Sequence, residues 1–177
     1  SRPPGPVQSP LTHRALVIGA VVAGERPARD MANAGPSVVL VERQPAIGGN
    51  TSRLSENSPT LDCSQCILTP LMLHVSRHPN IELMTYSGVE EVSGYVGNFT
   101  VRIRKKPSFV VAEDCNACGD CAEVCPEPGG NEFDMGLKAR KAIYRAFPQS
   151  VPAAYVIDPD ACLNFTPHLN QRQKRRL

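Results

Sequence analysis

Cys115, Cys118, Cys121 and Cys125-Pro126 stand in the spacing Cys-x-x-Cys-x-x-Cys-x-x-x-Cys-Pro. That is the ligand run of proteins that carry a 4Fe–4S cluster. Three thiolates so spaced wrap one face of a cubane, with Ala117 and Gly119 leaving the backbone room to curl. The fourth, held at a turn by Pro126, faces a different cluster in two-cluster proteins. The chemistry expected of such a run is electron transfer. Zinc is the rival, although zinc sites generally use two Cys-x-x-Cys pairs across a longer loop. A second pair lies in Asp62-Cys63-Ser64-Gln65-Cys66. On its own it reads as a redox disulfide, half a metal site or two unrelated thiols. Cys162 is the seventh cysteine.

The elements around these residues begin with a nucleotide-binding pattern. Ala15-Leu16-Val17-Ile18 is a short apolar run that reads as a buried strand. Gly19 to Gly24 forms a turn, a helix follows through Met31 and Ala34, and Gly35-Pro36 stops it. Ser37-Val38-Val39-Leu40-Val41 is a second buried strand, ending at Glu42. Strand, glycine turn, helix, strand and acid in this order form a dinucleotide-binding unit, and Glu42 falls where a ribose hydroxyl would donate to it. The pattern G-x-G-x-x-G wants its middle glycine at position 21, which is Val21. A valine crowds the close approach of a pyrophosphate. Pro27 is awkward in the helix, at a cost of ~3 kcal/mol. Glu42-Arg43 and Ile47-Gly48-Gly49-Asn50 add ordered context. The alternative is a generic βαβ start that binds nothing.

Further on the period changes. Ile81 to Tyr86 reads as a strand; Val89 to Val96 and Phe99 to Arg104 flank Gly97-Asn98 as a hairpin turn. Phe99, Val101 and Ile103 alternate with Thr100, Arg102 and Arg104, predicting one buried and one solvated face. Arg102, Arg104, Lys105 and Lys106 read as a solvated face and turn rather than an anionic docking patch.

Composition bounds the rest. The chain has 177 residues, 41% hydrophobic and 20% charged, an ordinary globular balance. A net charge of +2 gives no reason to expect a nucleic-acid partner. No stretch approaches the ~18 apolar residues of a membrane helix. No export leader is legible. Seven cysteines, an odd number, fit a reducing, cytoplasmic interior. Because the chain starts at Ser1, a processed product or fragment is expected. The expected organisation is a Pro-rich linker over 1–14, a partial nucleotide-binding domain with a β-ribbon over 15–111, an incomplete ferredoxin-like insertion over 112–165, and a solvated basic tail over 166–177.

The longer strings resemble a known family, the A subunit of heterodisulfide reductase, the iron–sulfur flavoprotein of methanogens and related anaerobes. They are Thr60 to Pro70, His78-Pro79-Asn80-Ile81-Glu82-Leu83, Glu90 to Phe99, the Cys115–Cys125 run and Asn131-Glu132-Phe133-Asp134-Met135-Gly136. With the nucleotide turn, the resemblance runs from about Ala15 to Phe165. It implies an α/β, thioredoxin-reductase-like FAD domain with an inserted ferredoxin-like α+β module. FAD would lie near Gly19, Gly24, Glu42 and Arg43, with Gly48 and Gly49 close by. Cys115, Cys118 and Cys121 would hold one cluster and Cys125 would face a second. Cys63 and Cys66 would lie near the flavin, where the family uses such cysteines for cluster ligation or redox chemistry. The implied function is electron transfer between FAD and 4Fe–4S clusters in an electron-bifurcating complex. Its implied partners are disulfide-reducing subunits, ferredoxin, and a hydrogenase or formate dehydrogenase.

This copy departs from the family pattern. The second cysteine run should begin at Cys162, yet no further cysteine follows. Cys115 to Cys125 with Cys162 supply five ligands where two clusters need eight, so one cluster is expected, with Cys162 as a distant fourth ligand. Leu71 stands where the family is expected to carry a lysine. The competing expectations are a truncated fragment that binds metal or partners without turnover, and a zinc-stabilised structural protein.

Overall fold

The computed structural model describes residues 12–165. Most of the Pro-rich linker and the basic tail lie outside the described residues. β1 (Arg14–Ile18) leads into α1 (Val22–Asn33) and back along β2 (Ser37–Val41). A 3-10 turn (Gly49–Arg53) and a short hairpin, β3 (Glu56–Asn57) with β4 (Asp62–Cys63), precede α2 (Ser64–Arg77) and β5 (Ile81–Met84). β1, β2 and β5 form a parallel sheet in that order, with Leu16 beside Val39 and Leu40 beside Leu83. Two parallel βαβ steps give one half of a doubly wound sheet; the first was expected from the sequence, whereas α2, the crossing helix of the second, was not.

Side chains alternate across the sheet. Ala15, Val17, Val38, Leu40, Ile81 and Leu83 face α1 and α2 and join Ala28, Ala32, Leu68, Met72 and Val75 in the core. Burying a side chain such as Leu40, Leu68 or Met72, each with no exposed surface, contributes roughly 1.5–3 kcal/mol. Leu71 is also buried, so the position expected to carry a lysine in the family is an apolar packing position here. The helices leave the other face, with Leu16, Ile18, Val39 and Met84, to a shallow apolar groove against the following ribbon.

Pro27 sits inside α1 as the sequence warned. Its ring deletes the hydrogen bond to the Ala23 carbonyl, but both residues lie on the exposed side of the helix. Water can meet that carbonyl, which explains why the helix runs on to Asn33. Gly35, at φ 116°, then turns the chain, as the Gly-Pro stop signal required.

The ribbon is β6 (Ser87–Tyr95) and β7 (Asn98–Lys105), antiparallel. Two details differ from expectation. Tyr95 pairs with Asn98, so the turn residues are Val96-Gly97 rather than Gly97-Asn98. Gly97, at φ 92°, supplies the left-handed position of that turn, whereas Asn98 is needed in the ladder. The face carrying Phe99 is also only partly covered, with Phe99 itself exposed. β5 ends at Met84, two residues early, because Tyr86 takes a positive φ of 54°. Arg102 pairs with Glu91 at 3.0 Å and Arg104 with Glu90 at 2.7 Å, which accounts for these two arginines as a solvated, charge-balanced face.

The remaining segment carries α3 (Asp120–Val124), then β8 (Pro128–Gly130) paired with β9 (Ala139–Lys141), and β10 (Ile143–Tyr144) paired with β11 (Val156–Ile157). It is tied to the first unit rather than hanging from it. Phe147 and Val151 enter the main core, and the Ile47 N–H donates to the Val151 carbonyl at 2.9 Å. Arg140, its side chain 8% exposed, bridges Glu132 at 2.7 Å and Asp158 at 3.0 Å and lies 3.5 Å over the Tyr144 ring. Burial pushes the Tyr144 hydroxyl up to about 12 despite that guanidinium.

Candidate iron–sulfur and nucleotide sites

The cysteine loop curls where its small residues allow. Ala117 (φ 58°) and Gly119 (φ 103°) both take the left-handed conformation. For alanine this costs roughly 1–2 kcal/mol, so the curl is imposed by the loop. The Cys118 N–H donates to Asn116 Oδ1 at 3.1 Å. Gly119 starts α3, accepting from the Ala122 N–H at 2.8 Å. Cys121 is in the first turn of α3 and Cys125 caps its end. Burial pushes the Cys121 thiol up, and the charges of Cys118 and Cys115 add to that effect.

Cys162 follows β11 in a turn whose Ala161 packs near Gly129 of β8: a Cβ on that glycine would lie 3.4 Å from the alanine Cβ. The fold therefore returns Cys162 toward the strand that begins just after Cys125. None of the seven cysteines is in a disulfide. Among the described residues, no three His, Cys, Asp or Glu side chains converge in the way a single metal ion needs. A cluster has several irons and spreads its thiolate ligands around its faces. A curled loop of thiols is a donor set of that kind.

Cys63 and Cys66 form a separate pair at the start of α2. The Cys63 sulfur accepts from the Cys66 N–H at 3.3 Å, and the two sulfurs are 2.6 Å apart. The Cys66 hydrogen bonds hold the Cys63 thiol below its ordinary value, while the Cys63 sulfur pushes Cys66 up. Both are exposed. Among the described residues no third Cys, His, Asp or Glu joins them as a ligand set.

At the nucleotide turn, Gly19 takes φ 94° and its N–H donates to the Val41 carbonyl at 2.7 Å. Gly24 is needed because a Cβ there would fall 1.9 Å from the Gly19 carbonyl oxygen. Glu42 is nearly buried, and its two oxygens accept from the N–H groups of Ala20 and Gln44, each at 2.8 Å. Each oxygen keeps a lone pair for another donor, so the backbone aims Glu42 rather than exhausting it. Gly48 (φ 107°) packs against Leu68 and Met72 of α2. Arg43 is exposed.

Two side chains change this site. A Cβ on Gly49 would lie 2.1 Å from Val21 Cγ1, so Val21 fills the gap between the turn and Gly49. The cradle that a pyrophosphate needs is occupied by a side chain, and the residues present do not fit the dinucleotide the resemblance implies. The second is Glu25, which sequence reasoning missed. It has no exposed surface and neither of its oxygens has a hydrogen-bond partner. Burial, then the charge of Glu42, raises its carboxyl to about 7. The signal was available: positions 25, 28 and 32 share one helical face, and Ala28 and Ala32 are core.

Fold and site together define a Rossmann-type α/β unit joined to a cysteine-rich segment. The chain is similar over most of its length to the A subunit of heterodisulfide reductase. It is 56% identical over 147 residues to an iron–sulfur A subunit of the CoB–CoM heterodisulfide reductase of Methanopyrus kandleri, covering 83% of this chain and 22% of that protein. It is 50% identical over 150 residues to the A subunit of the H(2):CoB-CoM heterodisulfide,ferredoxin reductase of Methanothermobacter marburgensis, covering 85% and 23%. The A subunit of the ferredoxin:CoB-CoM heterodisulfide reductase of Methanosarcina mazei matches at 46% over 156 residues, 88% and 20%. The chain thus spans about a fifth of the length of these relatives. No protein-family model matches it. Among solved structures, L-proline dehydrogenase from P. horikoshii matches 52% of this chain and 18% of its own at 19% identity and a TM-score of 0.44, a likeness too slight to add to the sequence matches. No helix among the described residues is long and apolar enough to cross a membrane.

Proposed function

We propose that this chain is an iron–sulfur electron-transfer segment of the heterodisulfide reductase A type. Cys115, Cys118 and Cys121 are its cluster ligands, with Cys162 as the fourth and Cys125 directed toward a neighbouring centre. Residues 112–165 are a reduced ferredoxin-like module serving that site. The observation that carries this reading is the left-handed pair Ala117 and Gly119, set between three regularly spaced cysteines. A bound 4Fe–4S cluster supplies one-electron exchange. The chain's own work is to hold the thiolates, to limit water at Cys121 and to anchor the loop through α3.

The names of the relatives carry hydrogen, formate and ferredoxin alongside the heterodisulfide. These support ferredoxin, a disulfide-reducing subunit, and a hydrogenase or formate dehydrogenase as partners. The test is anaerobic reconstitution of the full chain with iron and sulfide, followed by iron, acid-labile sulfide and zinc analysis. About four irons and four sulfides per chain, largely lost in Cys118→Ser, is the expected result. Unchanged iron and sulfide in that variant would overturn the ligand assignment, and stoichiometric zinc in its place would overturn the electron-transfer reading.

A further inference from the structure

The nucleotide turn and the cysteine-rich segment share a cavity of about 240 Å³, with Val21, Glu42, Arg43, Gly49, Arg53 and Phe133 among its walls. Its shape follows from the sequence departures. Val21 lies against Gly49 and shuts the passage beside the helix N-terminus. Pockets for drug-sized ligands run to roughly 300–1,000 Å³, and a flavin dinucleotide is larger than most of those. One nucleotide is nearer to the space that remains.

The polar groups suit a single nucleotide. Glu42 is aimed by two backbone N–H groups, and its remaining acceptor capacity suits a ribose diol. Arg53 is held in place by Met135 Sδ at 3.4 Å and by the Phe133 ring, 6.0 Å from its guanidinium carbon. Arg43 stands exposed beside Glu42. The Glu132 carboxylate also borders the cavity, but Arg140 binds both of its oxygens, at 2.7 and 2.9 Å. Cationic groups are therefore available to a phosphate on the Arg43–Arg53 side. On the other side, the N-terminus of α1, where an anion normally sits, begins at Val21, whose side chain lies against Gly49. Phe133 and Phe147, stacked at 5.3 Å, both border the cavity and offer apolar ring surface to a base.

We propose that this pocket takes a nucleoside monophosphate, with its ribose on Glu42 and its phosphate on Arg53 and Arg43, and that Val21 bars the flavin dinucleotide. The phosphate then sits away from the helix N-terminus, the reverse of the usual Rossmann arrangement. This is independent of the cluster assignment, because none of these residues is a cysteine ligand.

The test is calorimetric titration of the full wild-type chain with AMP and, separately, with FAD. Binding of AMP at least tenfold tighter than FAD is expected. Arg53→Met should weaken AMP at least tenfold, and Val21→Gly should tighten FAD at least tenfold while leaving AMP within about twofold; each tenfold step is about 1.4 kcal/mol. Wild-type protein that binds FAD as tightly as AMP, or that binds no AMP, would overturn the proposal. So would a Val21→Gly chain with native circular dichroism and unchanged FAD affinity. Should that variant fail to fold, the wild-type comparison and Arg53→Met decide the matter without it.

Discussion

Glu25 makes stability depend on pH in a direction opposite to that of most carboxylates. In the unfolded chain it loses its proton near 4.5, whereas in the folded protein it keeps it to about 7. Between those values the folded state binds more protons than the unfolded one, so stability falls as pH rises. It is fully present below 4.5 and reaches its reduced level above 7. Each unit of the difference is worth about 1.36 kcal/mol, so the whole effect is about 3 kcal/mol. The group has no exposed surface, so solvent offers it no direct screening. Replacing it by leucine removes the titration at similar volume and adds an apolar contact to Ala28 and Ala32. Glu25→Leu should therefore gain about 3 kcal/mol more over wild type at pH 8 than at pH 4.5. For a chain of this length that corresponds to a further rise in Tm of roughly 6–12 °C. Urea unfolding of both proteins under anaerobic conditions at the two pH values measures it, and other titrating groups cancel in the difference. A gain that is the same at both pH values within about 0.5 kcal/mol would refute the reasoning, because Glu25 would then be ionised and satisfied in the folded protein.

Two further substitutions probe the scaffold. Gly24→Ala sets a Cβ 1.9 Å from the Gly19 carbonyl oxygen, a backbone atom that cannot rotate away; it should cost about 1–3 kcal/mol or more. Gly88→Ala, with nothing within 4 Å, should stay within about 0.5 kcal/mol, and equal thermal shifts in the two would contradict the turn geometry. Arg140→Met leaves Asp158 and Glu132 without their shared cation; given their partial exposure, a loss of about 2 kcal/mol is expected. Chemical denaturation reads this directly, and a neutral result would mean water replaces the guanidinium.

What was legible in the sequence was mostly local. Leu16-Val17-Ile18 and Val38-Val39-Leu40-Val41 had to be strands, and the residues between them had to cross as a helix; the second is buried as expected, but the first lies at the sheet edge, half-buried, with Ile18 63% exposed. Gly19 and Gly35 marked turns that only glycine fills comfortably, while Gly24, expected to end the first turn, lies inside α1 against the Gly19 carbonyl. The cysteine spacing implied a curl, and Ala117 and Gly119 make it. What stayed hidden depends on distant neighbours. Spacing could not say that Phe147 and Val151 enter the first core, because nothing local distinguishes an apolar residue that returns to another unit. The ribbon slipped by one turn residue because Gly97-Asn98 and Val96-Gly97 both contain the needed glycine, and only the Tyr95–Asn98 pairing chooses between them. Val21 was visible as a break in the glycine pattern. That its methyl group rests on Gly49 was not.

The return of Phe147 and Val151 ties the cysteine-rich segment to the first unit. Val151 accepts a hydrogen bond from Ile47, the residue just before Gly48 and Gly49. Phe147 stacks on Phe133, which holds Arg53. The loop that frames the nucleotide cavity is thus packed against the segment that carries Arg140 and, beyond it, the turn of Cys162. Arg140 ties Glu132, on the cavity side, to Asp158, whose carbonyl accepts from the Cys162 N–H at 3.0 Å. A side chain held at both ends does not move at one end alone, because close-packed interiors transmit displacement rather than absorb it. A ligand entering beside Phe133 would therefore meet the Glu132 carboxylate that this buried arginine holds.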